Sequence, residues 1–167
     1  LQCCICGDFS NNTHEFTSLS LNILNFQSLE DALEHFTALE DIDEKMTCDK
    51  CDMKTPGIAI FHLKRLKKVG NTYQKIGTYV TFPSQLDMSR YTSDVFESLM
   101  YDLYAVIEHR GSTIDYGHYV CYSRSAEDKW CLFNDDMVSN VSEDEVKKAK
   151  AYILFYARTG TPRNSNF

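Results

Sequence analysis

The sequence lacks an excess of basic residues. Its 24 Asp and Glu side chains outnumber the 17 Lys and Arg side chains, which leaves a formal net charge of −7. Proteins that bind nucleic acid need a basic face to meet the phosphates, so this balance argues against a nucleic-acid partner. The sequence also has no apolar run near the ~20 residues that a helix needs to cross a membrane, and no secretory segment, so we expect no membrane partner.

The sequence also has no internal repeat and no alternation of strands with long helices. Its 167 residues are 43% hydrophobic, which is enough for a core, and ten Tyr and ten Phe favour β-structure. Five or six segments have strand patterns, and short helices are predicted to begin at Ser28 and Ser142. We therefore predict an α+β fold built on an antiparallel sheet.

The seven cysteines do not suit a disulfide framework. Their number is odd, four of them fall in two C-x-x-C pairs, and no secretory segment precedes them. These features predict a reducing compartment, the cytoplasm or the nucleus.

The two C-x-x-C pairs have the spacing of zinc ligands. Each pair, Cys3 with Cys6 and Cys48 with Cys51, can place two thiolates on one side of a tight turn, and together they complete a tetrahedral Cys4 site. Cys4 is an alternative to Cys3, but Cys3 gives the same spacing as the second pair. Structurally idle thiols and a redox-active pair are the other interpretations. The sequence predicts a structural Zn²⁺ site that joins two distant segments.

A basic cluster lies in a strand of a predicted hairpin, after the buried strand Ile58 to Leu63 and before the returning strand Tyr73 to Phe82. It contains four cationic side chains, Lys64, Arg65, Lys67 and Lys68. A solvated edge strand that resists further strand addition is one interpretation, and contact with an acidic partner is the other.

The stretch from Gly117 to Asp136 is predicted to form a hairpin that carries chemistry. If its turn is centred on Ala126, His118 lies opposite Asn134, about 5 Å away between Cβ atoms. The Asn134 carbonyl would accept from Nδ1–H of His118 and leave the other ring nitrogen free as a base. A slip of one residue would put Asp135 in the same place. The alternative is that these residues only form a turn.

No cysteine of this chain is a suitable nucleophile for such a base. Cys121 and Cys131 are each three residues from the pair, so alternation places both on the opposite face of the hairpin, where they would face each other. We therefore expect the chain to hold a base and an orienting group without their nucleophile, and to be a piece of a longer protein.

Four motifs in order resemble the C-terminal half of the ubiquitin-specific proteases, which are cysteine deubiquitinases. The resemblance covers nearly the whole chain. The first two motifs are the paired C-x-x-C segments and FHLKRL, which begins at Phe61. The third extends from YAV at Tyr104 through HRG to GHYV at Gly117, and the fourth is WCLFND at Trp130 together with AYILFY at Ala151. It implies the papain-like cysteine proteinase fold: zinc-ribbon fingers over residues 1–57, an antiparallel β palm over 58–158, a missing thumb half and a flexible tail over 159–167.

The resemblance also implies roles for individual residues. His118 would be the general base, Asn134 would orient it, and Asp135 falls at a position implicated in catalysis through the oxyanion. Gly117, Tyr119 and His109 would border the channel for the Gly-Gly tail of ubiquitin. The implied reaction is thiol-dependent hydrolysis after the C-terminal glycine of ubiquitin, with zinc only structural.

The family's cysteine box and its glutamine-rich box have no counterpart in these 167 residues. We therefore expect this chain alone to be inactive. The alternative function is a ubiquitin-binding or scaffold module that does not cleave.

Overall fold

The computed structural model describes residues 18–38, 57–91, 99–113 and 116–160. Within those ranges the chain forms two α-helices, α1 (Leu29–Thr37) and α2 (Glu143–Val146), and a short 3-10 helix at Met88–Tyr91. The strands are β1 (Ser18–Asn22), β2 (Ile58–Lys64), β3 (Leu66–Val69), β4 (Thr72–Lys75), β5 (Gln85–Asp87), β6 (Met100–Arg110), β7 (His118–Arg124), β8 (Trp130–Asn134), β9 (Met137–Asn140) and β10 (Ala151–Arg158). No helix in these ranges has the length and apolar character needed to cross a membrane.

Eight of the strands form one sheet, in the order β1-β2-β10-β6-β7-β8-β9, with β5 paired to β6 beside this path. All neighbouring pairs are antiparallel except β1 and β2. The predicted α+β fold on an antiparallel sheet is therefore confirmed, with one parallel pair at its edge. That pair follows from the long connection between the two strands, which includes α1, because parallel neighbours need a crossover. It also joins β1, from the segment predicted as fingers, to the sheet predicted as palm.

One face of the sheet carries the core. Alternate residues of β1 and β2 point into it, including Leu21, Phe61 and Leu63, which are almost fully buried. Helix α1 covers this face through Leu29 and Leu33, which have no exposed surface. Both helices begin at the predicted residues, because the Oγ atoms of Ser28 and Ser142 each accept from the backbone N–H three residues later.

The strand predicted from Tyr73 to Phe82 is wrong beyond Lys75. β4 ends there, and the chain then turns so that Ile76, Val80 and Phe82 enter the core. Ile76 N–H donates to the Arg65 carbonyl at 2.7 Å in the register of the β3–β4 ladder, and the chain leaves that ladder only after this bond. The apolar residues at 76, 80 and 82 imitate strand periodicity but belong to an irregular segment packed beneath the sheet.

Arg65 is buried, so the predicted solvated cluster does not include it. Only 2% of its surface is exposed, and its guanidinium donates to three backbone carbonyls: Ala151 at 2.6 Å from Nε, and Ile76 at 3.1 Å and Thr78 at 2.7 Å from Nη1. The sequence does not distinguish Arg65 from the exposed Lys67 and Lys68, because the burial of Arg65 depends on the path of the irregular segment after Lys75. Arg65 therefore ties β10 to that segment.

Candidate active site

The β7–β8 hairpin turns one residue later than predicted. Ser125 N–H donates to the Lys129 carbonyl at 2.8 Å, Asp128 N–H donates to the Ser125 carbonyl at 2.9 Å, and Asp128 has a φ of 59°, which Asp tolerates better than most residues. The turn is thus centred on Glu127 and not on Ala126. Tyr122 consequently pairs with Leu132, and not with Trp130 as a turn centred on Ala126 would require, so the predicted register is wrong.

This error leaves the faces of the hairpin unchanged. Moving a turn centre by one residue shifts each cross-strand partner by two residues, and side chains two apart on a strand share a face. His118 and Asn134 therefore remain on one face, as diagonal neighbours and not as direct partners. Their side chains meet, with His118 Nε2 2.6 Å from Asn134 Oδ1.

The ring nitrogen in this contact is Nε2, so the prediction of Nδ1 is wrong. An amide oxygen only accepts hydrogen bonds, so the Nε2 atom facing Asn134 Oδ1 carries the proton. In the neutral imidazole, the lone pair for accepting a further proton is then on Nδ1. The pair thus has the arrangement of a base and a residue that fixes its tautomer, with Nδ1 as the basic atom.

Asp135 stands in the two-residue turn between β8 and β9, with a φ of 54°. Its Oδ2 lies 3.7 Å from the same His118 Nε2, and its side chain is 76% exposed. At this distance an ionised Asp135 carboxylate attracts an imidazolium, and its part in catalysis through the oxyanion stays a prediction. Because the pair is exposed, this electrostatic effect is small.

Neither cysteine of the described residues lies beside His118. Cys121 pairs with Phe133 and Cys131 pairs with Ser123, so the predicted contact between the two cysteines is wrong. Both positions are on the face opposite to His118 and Asn134, as the alternation predicts. Burial raises the pKa of the Cys121 thiol, which opposes formation of a nucleophilic thiolate. The cysteines predicted to bind zinc, Cys3, Cys6, Cys48 and Cys51, lie outside the described residues.

The three residues predicted to border a substrate channel differ in exposure. Tyr119 is exposed and Gly117 is exposed, whereas His109 is only 9% exposed. The His109 ring forms a cluster with two tyrosine rings, with centroid distances of 4.6 Å from His109 to Tyr119, 6.5 Å from His109 to Tyr152 and 6.0 Å between the two tyrosines. Burial, and then the nearby charge of Lys75, lower the pKa of His109, so its neutral form is favoured. His109 therefore lies beneath the surface that Tyr119 presents.

A charged network near His118 was missed in the sequence. Arg110 is the ladder partner of His118, and its guanidinium contacts Glu108 Oε2 at 3.1 Å and the Tyr122 hydroxyl at 2.8 Å. The sequence contained a signal for this network, because Glu108 and Arg110 carry opposite charges and residues two apart on a strand share one face. Within the described residues, no group of three or more His, Cys, Asp or Glu side chains is arranged to hold a metal ion.

The sequence matches a known family over nearly its full length. Residues 2–156 match the family model described as ubiquitin carboxyl-terminal hydrolase. Ubiquitin carboxyl-terminal hydrolase 21 of Arabidopsis thaliana is 41% identical over 176 residues, which cover 97% of this chain and 24% of the relative. Ubiquitin carboxyl-terminal hydrolase 3 of Homo sapiens is 38% identical over 188 residues, which cover 93% of this chain and 36% of the relative.

Solved structures with the same fold include a SAGA DUB module of Ubp8, Sgf11, Sus1 and Sgf73 bound to monoubiquitin. This chain aligns with it at a TM-score of 0.76 and 31% identity, over 88% of this chain and 36% of the solved chain. A SAGA DUB module of the same four proteins bound to ubiquitin aldehyde gives a TM-score of 0.74 at 28% identity, over 88% of this chain and 37% of the solved chain. The chain thus spans about a quarter to a third of the length of these relatives and solved chains.

Proposed function

The chain belongs to the ubiquitin carboxyl-terminal hydrolase family, and we propose that it supplies the general base and the orienting residue of a deubiquitinating thiol protease. The observation that carries this proposal is the 2.6 Å contact between His118 Nε2 and Asn134 Oδ1, which leaves Nδ1 to act as the base. Structures of similar chains bound to ubiquitin support ubiquitin as the substrate.

In the proposed reaction the nucleophile is a cysteine from a part of the protein outside these 167 residues. His118 Nδ1 takes the thiol proton, and the thiolate attacks the carbonyl carbon of the C-terminal glycine of ubiquitin. His118 then gives that proton to the leaving amine as the C–N bond breaks, which leaves a thioester. In the second half, His118 takes a proton from water as the water oxygen attacks the thioester carbonyl carbon. The C–S bond then breaks, His118 returns the proton to the sulfur, and the carboxylate of ubiquitin is released.

Asn134 and Asp135 have different parts in this scheme. Asn134 accepts from Nε2–H in both the neutral and the protonated ring, so it holds the imidazole in one direction through the cycle. Asp135 adds a carboxylate 3.7 Å from the same nitrogen and favours the imidazolium that forms transiently. Because Asp135 is largely exposed, we assign it the smaller contribution.

Gly117 and Tyr119 are proposed to border the channel for the tail of ubiquitin. Both are exposed and adjoin His118 on the chain, so their backbone lies beside the base, whereas the Tyr119 side chain is on the opposite face of β7. For His109 we propose an indirect part in substrate binding, since its ring supports Tyr119 from beneath.

A structural zinc ion held by Cys3, Cys6, Cys48 and Cys51 remains part of the proposal. Two C-x-x-C pairs are suited to a tetrahedral thiolate site, which would hold two distant segments together. Such thiolates need a reducing compartment, so we propose that the protein acts in the cytoplasm or nucleus.

The test uses the full-length protein that carries this chain. We expect it to release a fluorophore from the C-terminus of ubiquitin, and we expect His118→Ala to lower kcat/KM by about 10²- to 10⁴-fold. His35→Ala, which removes an exposed histidine on α1, is the matched control and should have no effect.

A ubiquitin probe with a C-terminal electrophile separates the two functions. Labelling of the full-length protein at a cysteine outside this chain supports the protease. Ubiquitin binding without labelling or turnover would instead support a non-catalytic binding module. Labelling at Cys121 or Cys131 would contradict the assignment of the nucleophile.

A further inference from the structure

Among the described residues, one edge of β6 has no partner strand where it approaches His118. The β6–β10 ladder begins at the pair Ala151–Glu108, so on that side the strand residues after Glu108 have no ladder partner. Backbone carbonyls at such an edge need another donor or water. On its other edge, the same part of β6 pairs with the start of β7, through Arg110 and His118. The position of His118 therefore depends on the position of the end of β6.

The Lys75 ammonium supplies hydrogen-bond donors to the backbone carbonyls at this edge of β6. Lys75 is the last residue of β4, and its Nζ donates to the His109 carbonyl at 2.8 Å and to the Gly111 carbonyl at 2.5 Å. Carbonyls two residues apart project from the same edge of a strand, so one cation can bind both. Hydrogen bonds from an ionised donor are about twice as strong as neutral ones. Lys75 thus fixes both neighbours of Arg110.

The backbone before His118 packs directly against this part of β6. A Cβ atom at Gly117 would lie 2.1 Å from His109 Nε2 and 2.8 Å from the Arg110 carbonyl, and a Cβ atom at Gly111 would lie 2.8 Å from the Gly117 Cα. The two chain segments therefore touch through the His109 ring and, at Gly111, through backbone atoms alone. A displacement of residues 109–111 is passed to Gly117 and then to His118.

We propose that Lys75 is a positioning residue for His118, acting through the carbonyls of His109 and Gly111. The His118 side chain is 44% exposed, so its direction depends on its backbone and on Asn134 more than on surrounding packing. The contact of 2.6 Å with Asn134 is sensitive to small displacements, and misplacement by ~1 Å from a distant change can lower a rate ~10²-fold. This inference rests on the proposed role of His118 as the general base.

The kinetic test is Lys75→Met in the full-length protein, assayed on ubiquitin with a C-terminal fluorophore. We expect kcat to fall about tenfold because the change moves the base, and KM to rise less than kcat falls, because Gly117 beside the base is also proposed to border the ubiquitin channel. Lys67→Met, which removes an exposed lysine from the partner strand of the same hairpin, should leave both constants unchanged. Lys75→Arg retains a cation that can donate to two carbonyls and should restore at least half of kcat.

A second readout does not depend on turnover. Nitrogen-15 NMR of histidine-labelled full-length protein reports which ring nitrogen of His118 carries the proton. We expect Nε2–H in the wild type and in Lys75→Arg, and a mixture of tautomers in Lys75→Met. Lys75→Gln, which keeps one donor group, should lie between them and serves if Lys75→Met does not fold.

The outcomes separate this inference from the proposed function. An unchanged kcat and an unchanged tautomer in Lys75→Met would overturn the inference, and so would a rise in KM alone. If the wild type does not turn over ubiquitin, the proposed function fails, and the tautomer measurement still decides whether Lys75 positions His118.

Discussion

The imidazole of His109 occupies the space in which a side chain at Gly117 would begin. A Cβ atom at Gly117 would lie 2.1 Å from His109 Nε2, a distance that no real contact allows. Gly117 immediately precedes His118, so this contact links a buried residue of β6 to the proposed base. The relationship explains why the residue before His118 is glycine without reference to any substrate.

Gly117→Ala should therefore be damaging. We expect a loss of about 1–3 kcal/mol in the free energy of unfolding, typical of overpacking, and at least a tenfold loss of kcat/KM on ubiquitin substrates. Denaturant unfolding and steady-state kinetics of the full-length protein measure the two effects. Gly77→Ala is the matched control, because a Cβ atom there meets nothing within 4 Å. Equal behaviour of the two variants would contradict the packing argument.

Asn134→Ala should lower kcat about 10- to 100-fold, with KM within about twofold. The change removes the acceptor of His118 Nε2–H, so the ring loses its fixed direction and tautomer. Asp135→Asn should have a smaller effect, because that carboxylate is 3.7 Å away and exposed. Asn25→Ala, at an exposed turn, controls for loss of an amide. A larger effect from Asp135→Asn than from Asn134→Ala would reverse the two roles.

Arg65→Met should destabilise the fold by about 3 kcal/mol. The variant fills much of the same volume but leaves the carbonyls of Ala151, Ile76 and Thr78 without their charged donor. Urea unfolding measures the difference from the wild type. Lys67→Met removes a cation from the exposed strand nearby and should change the free energy of unfolding by no more than about 0.5 kcal/mol. Similar changes in the free energy of unfolding for the two variants would contradict the burial of Arg65.

The stability of the fold should decrease as the pH falls through the ordinary histidine range. Burial, and then the charge of Lys75, lower the pKa of His109, so the unfolded chain binds a proton more readily than the folded chain. The stabilisation is therefore present above the ordinary pKa of about 6.5 and is lost as the pH drops below it.

His109→Asn should flatten this dependence, since the amide does not titrate. Unfolding free energies measured between about pH 7.5 and pH 5 give the slope. Some slope should remain, because burial and then Lys64 also lower the pKa of His62. Identical slopes for the variant and the wild type would contradict the assignment to His109.

The zinc proposal predicts one bound Zn²⁺ per chain, lost in the double variant Cys48→Ser/Cys51→Ser with a fall in Tm. Elemental analysis of the folded full-length protein measures the metal. Cys121→Ser, which changes a cysteine of the sheet, should retain the zinc. Folded full-length protein that contains no zinc would contradict the zinc proposal.

The sequence predicted features that depend on local patterns. Ser28 and Ser142 marked the helix starts, because a cap is decided by a few neighbouring residues. Period-two alternation likewise placed His118 and Asn134 on one face. That conclusion survived an error in the turn, because shifting a turn centre by one residue preserves the faces.

Segments whose structure depends on distant parts of the chain were predicted less well. The exposed strand β9 and the short strand β5 were not recognised, since each is defined by a neighbouring strand and not by its own pattern. The irregular segment after Lys75 was mistaken for a strand because its buried residues happen to recur at strand spacing.

By itself, the sequence determined the family, the α+β character, and the identity of the two residues of the proposed base and orienting pair. Only the tertiary structure decided that His118 uses Nε2 toward Asn134, that Arg65 is buried, and that Lys75 binds the carbonyls beside His118. The physical reason is distance along the chain. Strand and cap patterns arise among near neighbours, whereas a lysine 34 residues before His109 reaches its carbonyl only after the sheet has formed.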